Sequence, residues 1–192
     1  NPHFIFNALN SVNNFISKND ERSANKYLSD FSKLMRTVME NSRYEFISLS
    51  TALNILELYL SLEHARFRDK FDYTLQVDEE ISIEQTYLPP MLIQPFLENS
   101  VWHGLGENGR IQLTLTKTNE NHLSCLIRDN GNGKAEKSDI DLSRMVKKSS
   151  MGLNLMEERF KTLNEMIGTQ AGFTMRENAG KEVEVIIPFE QD

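Results

Sequence analysis

His3 and Asn7 stand one helical turn apart in the opening run Asn1-Pro2-His3-Phe4-Ile5-Phe6-Asn7-Ala8-Leu9-Asn10. A neutral imidazole, with an ordinary pKa near ~6.5, is a nucleophile at neutral pH. Asn7 can orient the ring or a water beside it. Alone, such a histidine more often serves structure than chemistry. Three later segments supply the company that makes His3 readable as a phosphoryl acceptor.

The first is Glu98-Asn99-Ser100-Val101-Trp102-His103-Gly104. Asn99 and His103 are i, i+4 on a helix and face the same way, while Phe96, Leu97 and Val101 point elsewhere and can anchor it. Magnesium prefers oxygen ligands, taking one or two from protein and the rest from water and substrate phosphates. The Asn99 amide oxygen suits that role, although by itself such a residue is more often an ordinary surface asparagine. Glu98 is a candidate base or water-orienting group, or simply a solvent-facing helix residue.

The second is Asp129-Asn130-Gly131-Asn132-Gly133, directly after an alternating strand. Asn-Gly is a strong hairpin signal, but a hairpin needs a second strand, and Lys134 to Asp141 is polar and unalternating. A carboxylate at a strand end, followed by glycines that let a ligand approach the backbone, suits recognition of a base edge. Asp129 would accept from an exocyclic amine such as adenine carries.

The third is Ser149-Ser150-Met151-Gly152-Leu153, which the pattern predicts to open a helix. Free amides and the helix dipole make such an end an anion site, with Lys147 and Lys148 just before it. Plain N-capping by serine is the alternative. Residues 132–148 are long for a connection, which predicts a mobile lid.

These groups need elements to hold them. Apolar residues at helical spacing run through Phe4–Ile16 and, after the polar break Lys18-Asn19-Asp20-Glu21, through Ala24–Val38. Ser48 or Ser50 can cap a third helix reaching about Phe67. Strands are predicted at 71–77, 111–115, 123–127, 173–176 and 183–187, a helix at about 91–103 with Pro95 kinking it or starting its second half, and another over 152–166. The fold class expected is α+β: a helical module over 1–69, then an α/β sandwich over 70–192 with helices on one sheet face.

The 192 residues are 39% hydrophobic and 26% charged, as in a folded protein. A net charge of -7 argues against direct binding to a nucleic-acid backbone. The single cysteine, Cys125, cannot form an internal disulfide and suits a reducing cytosol. No run approaches the roughly 18–20 apolar residues that span a bilayer. The chain opens inside a motif without a methionine, so it is expected to be an excised part of a longer protein.

With these motifs in place, the chain resembles the LytS-like family of bacterial sensor histidine kinases over essentially its whole length. The resemblance rests on Asn1-Pro2-His3-Phe4-Ile5-Phe6-Asn7-Ala8-Leu9-Asn10-Ser11, Tyr59-Leu60-Ser61-Leu62-Glu63-His64-Ala65-Arg66-Phe67, and Leu88-Pro89-Pro90-Met91-Leu92-Ile93-Gln94-Pro95-Phe96-Leu97-Glu98-Asn99. It implies a dimerising phosphoacceptor module and a Bergerat-type, GHKL ATP-binding domain. By motif, His3 would be phosphorylated, Asn99 would bind Mg2+, and His103 would lie beside the nucleotide. Asp129 would bind the adenine amine, with Gly131 and Gly133 shaping the pocket floor. Lys148, Ser150, Gly152 and Leu153 would lie beside the phosphates of ATP. It further implies a homodimer, a response-regulator partner, often of LytTR type in such kinases, and a cytoplasmic position in a membrane protein whose membrane segments lie elsewhere.

Three departures stand out. Trp102 takes a place where the family often has lysine, Ser150 one where glycine is common, and Lys181 follows Gly180 where threonine is usual. Lys147 or Lys148 is the expected source of the missing charge; replacing both without changing ATP affinity would refute that. These departures also motivate a rival expectation, a nucleotide-binding scaffold or regulator phosphatase without autokinase activity. A GHKL-type ATPase would leave the His3 motif without purpose.

Overall fold

The computed structural model describes residues 2–67, 71–104, 108–131, 142–177 and 180–191; for residues 2, 3, 103, 104, 142–151 and 177 it describes the backbone alone. Helices α1 (Pro2–Ser17) and α2 (Glu21–Asn41) form a hairpin. Its corner follows from local chemistry: Asn19 takes a left-handed φ of 55°, and the Asp20 carboxylate caps α2 by accepting the Ser23 amide at 3.0 Å. Inside the hairpin the Phe15 and Tyr27 rings meet at 5.8 Å.

Helix α3 (Leu49–Arg66) is capped by the Ser48 hydroxyl, which accepts the Thr51 amide at 3.2 Å. Its buried residues, among them Leu49, Ile55, Tyr59, Leu60 and Leu62, do not form one stripe, because α3 packs against α2 on one side and strands on the other. The helix that the sequence groups with the amino-terminal module thus belongs equally to the packing of the sheet region. Beside it lies a small antiparallel sheet of β1 (Ile47–Ser48), β3 (Thr86–Leu88) and β8 (Glu190–Gln191). Strands this short carry no readable alternation, and none was expected from the sequence.

The main sheet is five-stranded, in the order β2 (Phe71–Val77), β4 (Gly109–Lys117), β5 (His122–Asp129), β7 (Lys181–Pro188), β6 (Gly172–Glu177). Only β2 and β4 pair in parallel. The register aligns Leu113 with Ile127, Ile127 with Val183, and Val183 with Met175, which gathers one apolar face. Helices α4 (Gln94–Gly104) and α5 (Leu142–Ile167) cover it: Phe96 and Phe160 both meet the ring of Phe173, at 4.7 and 5.8 Å. The architecture is α+β, a helical hairpin followed by a GHKL-type α/β sandwich. No described helix is long and apolar enough to cross a membrane.

Two helix starts differ from the expectation. α4 begins at Gln94 rather than Met91, because Met91 has a left-handed φ of 60° and Pro95 sits in the first turn, where its missing N–H costs nothing. α5 begins at Leu142, well before Gly152. The Leu, Arg, Met and Lys residues of 142–148 are good helix formers, and a single glycine inside a helix costs only about 1 kcal/mol, so α5 runs through Gly152.

Candidate functional site

Asp129 ends β5 opposite Ile111 on one side and Lys181 on the other, continuing the set of residues that faces the helices. It is 6% exposed. Its Oδ1 accepts the amides of Gly131 at 3.2 Å and Lys181 at 3.4 Å. Burial raises its pKa above the ordinary 3.8, against the opposing pull of the Ser100 hydroxyl and those two amides. Although the Ser100 hydroxyl lies close enough to lower the carboxyl pKa, Oδ2 closes no hydrogen bond among the described residues. A buried carboxylate oxygen without a donor is costly, and a ligand N–H would complete it.

The backbone beside it is unusually close. Gly180 has a φ of 151°, and a Cβ there would lie 2.1 Å from the Asp129 carbonyl oxygen. Asn130, which resembles the start of a turn, instead braces the neighbouring strand: its Oδ1 accepts the Arg110 amide at 2.6 Å and its own amide donates to the Arg110 carbonyl at 3.2 Å. Neither role was read from sequence. The clue for Gly180 was only that a glycine precedes an alternating strand.

Helix α4 presents its other groups to this strand end. Phe96, Leu97 and Val101 are buried as expected, and Ser100 reaches the Asp129 carboxyl. Asn99 is half-buried, on the adjoining face. Glu98 accepts the Gln94 side-chain amide at 2.9 Å. The start of α4 is held from α5: Arg159 donates to the carbonyl oxygens of Pro90 at 2.6 Å and Met91 at 3.4 Å. Among the described residues no group of three or more His, Cys, Asp or Glu could cage a metal ion. Magnesium takes few protein oxygens, and a side-chain amide oxygen such as that of Asn99 is of the type it accepts.

Between α3 and α4 lies a polar cluster that the sequence did not single out. Glu63 is fully buried, its Oε2 accepting two donors of the Arg66 guanidinium while Oε1 has no partner among the described residues. Burial raises the Glu63 pKa, Arg66 opposes that shift, and the negative charge of Glu98 adds to it. The guanidinium carbon of Arg66 lies 4.1 Å from the ring centre of Phe67 and 4.5 Å from that of Trp102.

His3 has its backbone in the first turn of α1. The ring of the next residue, Phe4, lies 5.6 Å from both Phe31 and Tyr59, so the start of α1 rests on α3. The side chains of His3, His103, Lys147, Lys148 and Ser150, and all of Gly133, lie outside the described residues. Gly152 is exposed and Leu153 packs at the edge of the core. The expectation of free amides at Ser149 to Leu153 needs correction. With α5 starting at Leu142, these residues lie inside the helix, where amides bond to carbonyls four residues back. Of the expected lid, 132–141 lie outside the described residues and 142–148 are helical.

The helical hairpin that carries His3 in its first turn leads into a sandwich whose strand-end Asp129 lies beside the helix that carries Asn99. The model of the family described as "Histidine kinase" matches residues 1–71. The sensor protein LytS of Enterococcus faecalis is 31% identical over 198 residues, covering 100% of this chain and 33% of that protein. YwpD of Bacillus subtilis is 30% identical, covering 97% of this chain and 66% of that protein. The sensor histidine kinase BtsS of Escherichia coli is 29% identical, covering 91% of this chain and 29% of that protein. Full-length ShkA in complex with AMPPNP shares the fold, with a TM-score of 0.52 at 15% identity over 94% of this chain and 39% of that one. Residues 1–71 thus match the histidine kinase family, the whole chain is similar to LytS sensor proteins, and it spans 33% of the length of the first of these relatives.

Proposed function

We propose that this chain is the ATP-dependent kinase core of a two-component sensor, phosphorylating His3 and passing the phosphoryl group to an aspartate of a LytTR-type response regulator. The observation that carries the reading is the unsatisfied Oδ2 of buried Asp129, beside a glycine that admits only backbone. That oxygen suits the exocyclic amine of adenine. Asn99 would hold Mg2+, which neutralises phosphate charge. An imidazole nitrogen of His3 attacks the γ-phosphorus, a P–N bond forms, and the bond to the βγ-bridging oxygen breaks so that ADP leaves. Glu98 is the proposed acceptor of the proton displaced from the imidazole. Alignment and charge neutralisation are the main requirements of such a transfer.

The division at about residue 69 is retained in this proposal, with α1 and α2 as the acceptor and dimerising module. Exposed Ile5, Leu9 and Ile16 on α1, with Leu28 and Met39 on α2, support pairing with a second copy. The domain is proposed to be cytoplasmic within a longer membrane sensor.

The test is phosphate incorporation from γ-labelled ATP with magnesium, in a protein extended upstream of His3, beside His3→Gln. Acid-labile, base-stable label that disappears in the variant is expected. The second reading, a nucleotide-binding scaffold or regulator phosphatase, is favoured by Trp102, whose indole replaces a cationic side chain on α4. ATP binding without label would establish it, and turnover without a phosphoprotein would point to an ATPase.

A further inference from the structure

We infer that Arg66 of α3, stacked on Trp102, is a polyphosphate-binding side chain of the nucleotide site, supplying from a neighbouring helix the positive charge that α4 itself lacks. This rests on the reading of Asp129 and Asn99 as a nucleotide site. Asn99 and Trp102 are three residues apart on α4 and share a face. Arg66 lies over that face, its guanidinium carbon 4.5 Å from the Trp102 ring centre. Ser100, one residue round the helix from Asn99, acts on the Asp129 carboxyl, so the base end and the cationic side of α4 are distinct.

The second line of argument runs along α3. Tyr59, Glu63 and Arg66 follow one another at i, i+4 and i+7 and share a face. Tyr59 carries the ring on which Phe4 rests, next to His3. One face of α3 therefore links the start of the acceptor helix to the guanidinium, about 10 Å apart along the axis at 1.5 Å per residue. A triphosphate held at Asn99 and aimed at His3 needs a cation on that side.

A purely structural role explains less. Glu63 Oε2 takes two donors of the guanidinium, which offers five, and Glu63 Oε1 receives nothing in return. The Arg66 side chain keeps 17% exposure while that of Glu63 keeps none, so of the pair it is the guanidinium that retains access to solvent. The Phe67 and Trp102 rings, with centres 4.1 and 4.5 Å from the guanidinium carbon, hold the fork in place, and two of its five donors go to Glu63.

The experiment is calorimetric binding of ATP and of adenosine to the 192-residue chain and its variants. Because Arg66→Gln alone leaves a buried carboxylate unpaired, the informative variant is Arg66→Gln with Glu63→Gln, checked for retained cooperative unfolding. It is expected to bind ATP about ten- to a hundred-fold more weakly with adenosine affinity unchanged. Adding Trp102→Lys, whose ammonium can reach the space the guanidinium leaves, is expected to restore most of that loss. The inference is overturned if the double variant keeps the full preference for ATP over adenosine, or if both ligands weaken equally. In either case the kinase reading stands. A wild-type chain with no preference for ATP over adenosine overturns both.

Discussion

The backbone at Gly180 passes so close to Asp129 that a Cβ at 180 would lie 2.1 Å from the Asp129 carbonyl oxygen. The contact ties the entry of β7 to the end of β5, at the residue proposed to read the base. Gly180→Ala combines this clash with a φ of 151°, which other residues rarely adopt. It should cost about 1–3 kcal/mol of stability and displace the Asp129 carboxylate. Urea unfolding and ATP titration of the same variant check both effects. Unchanged ATP affinity would detach the glycine from the site.

Asp129 itself makes two opposed predictions with pH. Its pKa is raised by burial, so the folded protein holds that proton more tightly than the unfolded chain. This stabilising contribution is full below the ordinary value of 3.8 and is lost as pH rises through the raised value. Ligand-free wild type should therefore lose stability over that window relative to Asp129→Asn. ATP affinity should move the other way, rising with pH as the carboxylate becomes able to accept from the amine. At neutral pH, Asp129→Ala should weaken ATP about ten- to a hundred-fold. Paired melting curves and titrations at several pH values decide it.

What could be read from residues alone follows the range of the interactions. The α1–α2 hairpin, the five long strands and the anchoring face of α4 are periodic, and periodicity reports burial locally. Rejecting a hairpin at Asp129–Gly133 needed only the absence of a second strand. The β1–β3–β8 sheet escaped because its strands of two or three residues pair across most of the chain. The start of α5 was misjudged because a polar stretch with good helix propensity resembles a loop when one glycine follows it. Gly180 over Asp129 and Arg66 over Trp102 are contacts between distant segments, and neither member of either pair signals the other.

The exposed face of the hairpin gives a prediction about assembly. Leu9 is 51% and Leu28 is 46% exposed, on helices that bury other residues of the same kind. Burying a leucine fully contributes roughly 1.5–3 kcal/mol, and a two-fold contact counts each position twice. Leu9→Glu with Leu28→Glu should therefore shift the species to monomer at micromolar concentration, as read by sedimentation. ATP binding should stay within about two-fold, since neither residue touches the nucleotide site. A wild-type chain that is already monomeric refutes the proposed face.

Arg159 and Met91 carry the last prediction. Met91 is held at a φ of 60°, and the Pro90 and Met91 carbonyls that flank its Cα accept from Arg159. The next residues begin α4, so this clamp sets where Glu98 and Asn99 stand. Arg159→Met keeps most of the apolar stem and removes the donors, and should cost about 2 kcal/mol, as expected for hydrogen bonds from a charged group. Met91→Gly should be nearly neutral, because relief of roughly 1–2 kcal/mol of left-handed strain is offset by about 0.4–1 kcal/mol of added unfolded-state entropy. Met91→Val should be worse than either, since a β-branched residue tolerates positive φ least. If the clamp positions α4, Arg159→Met also weakens ATP more than Met91→Gly does, at equal fractions folded. Equal affinities in the two variants would leave Arg159 a stabilising contact only.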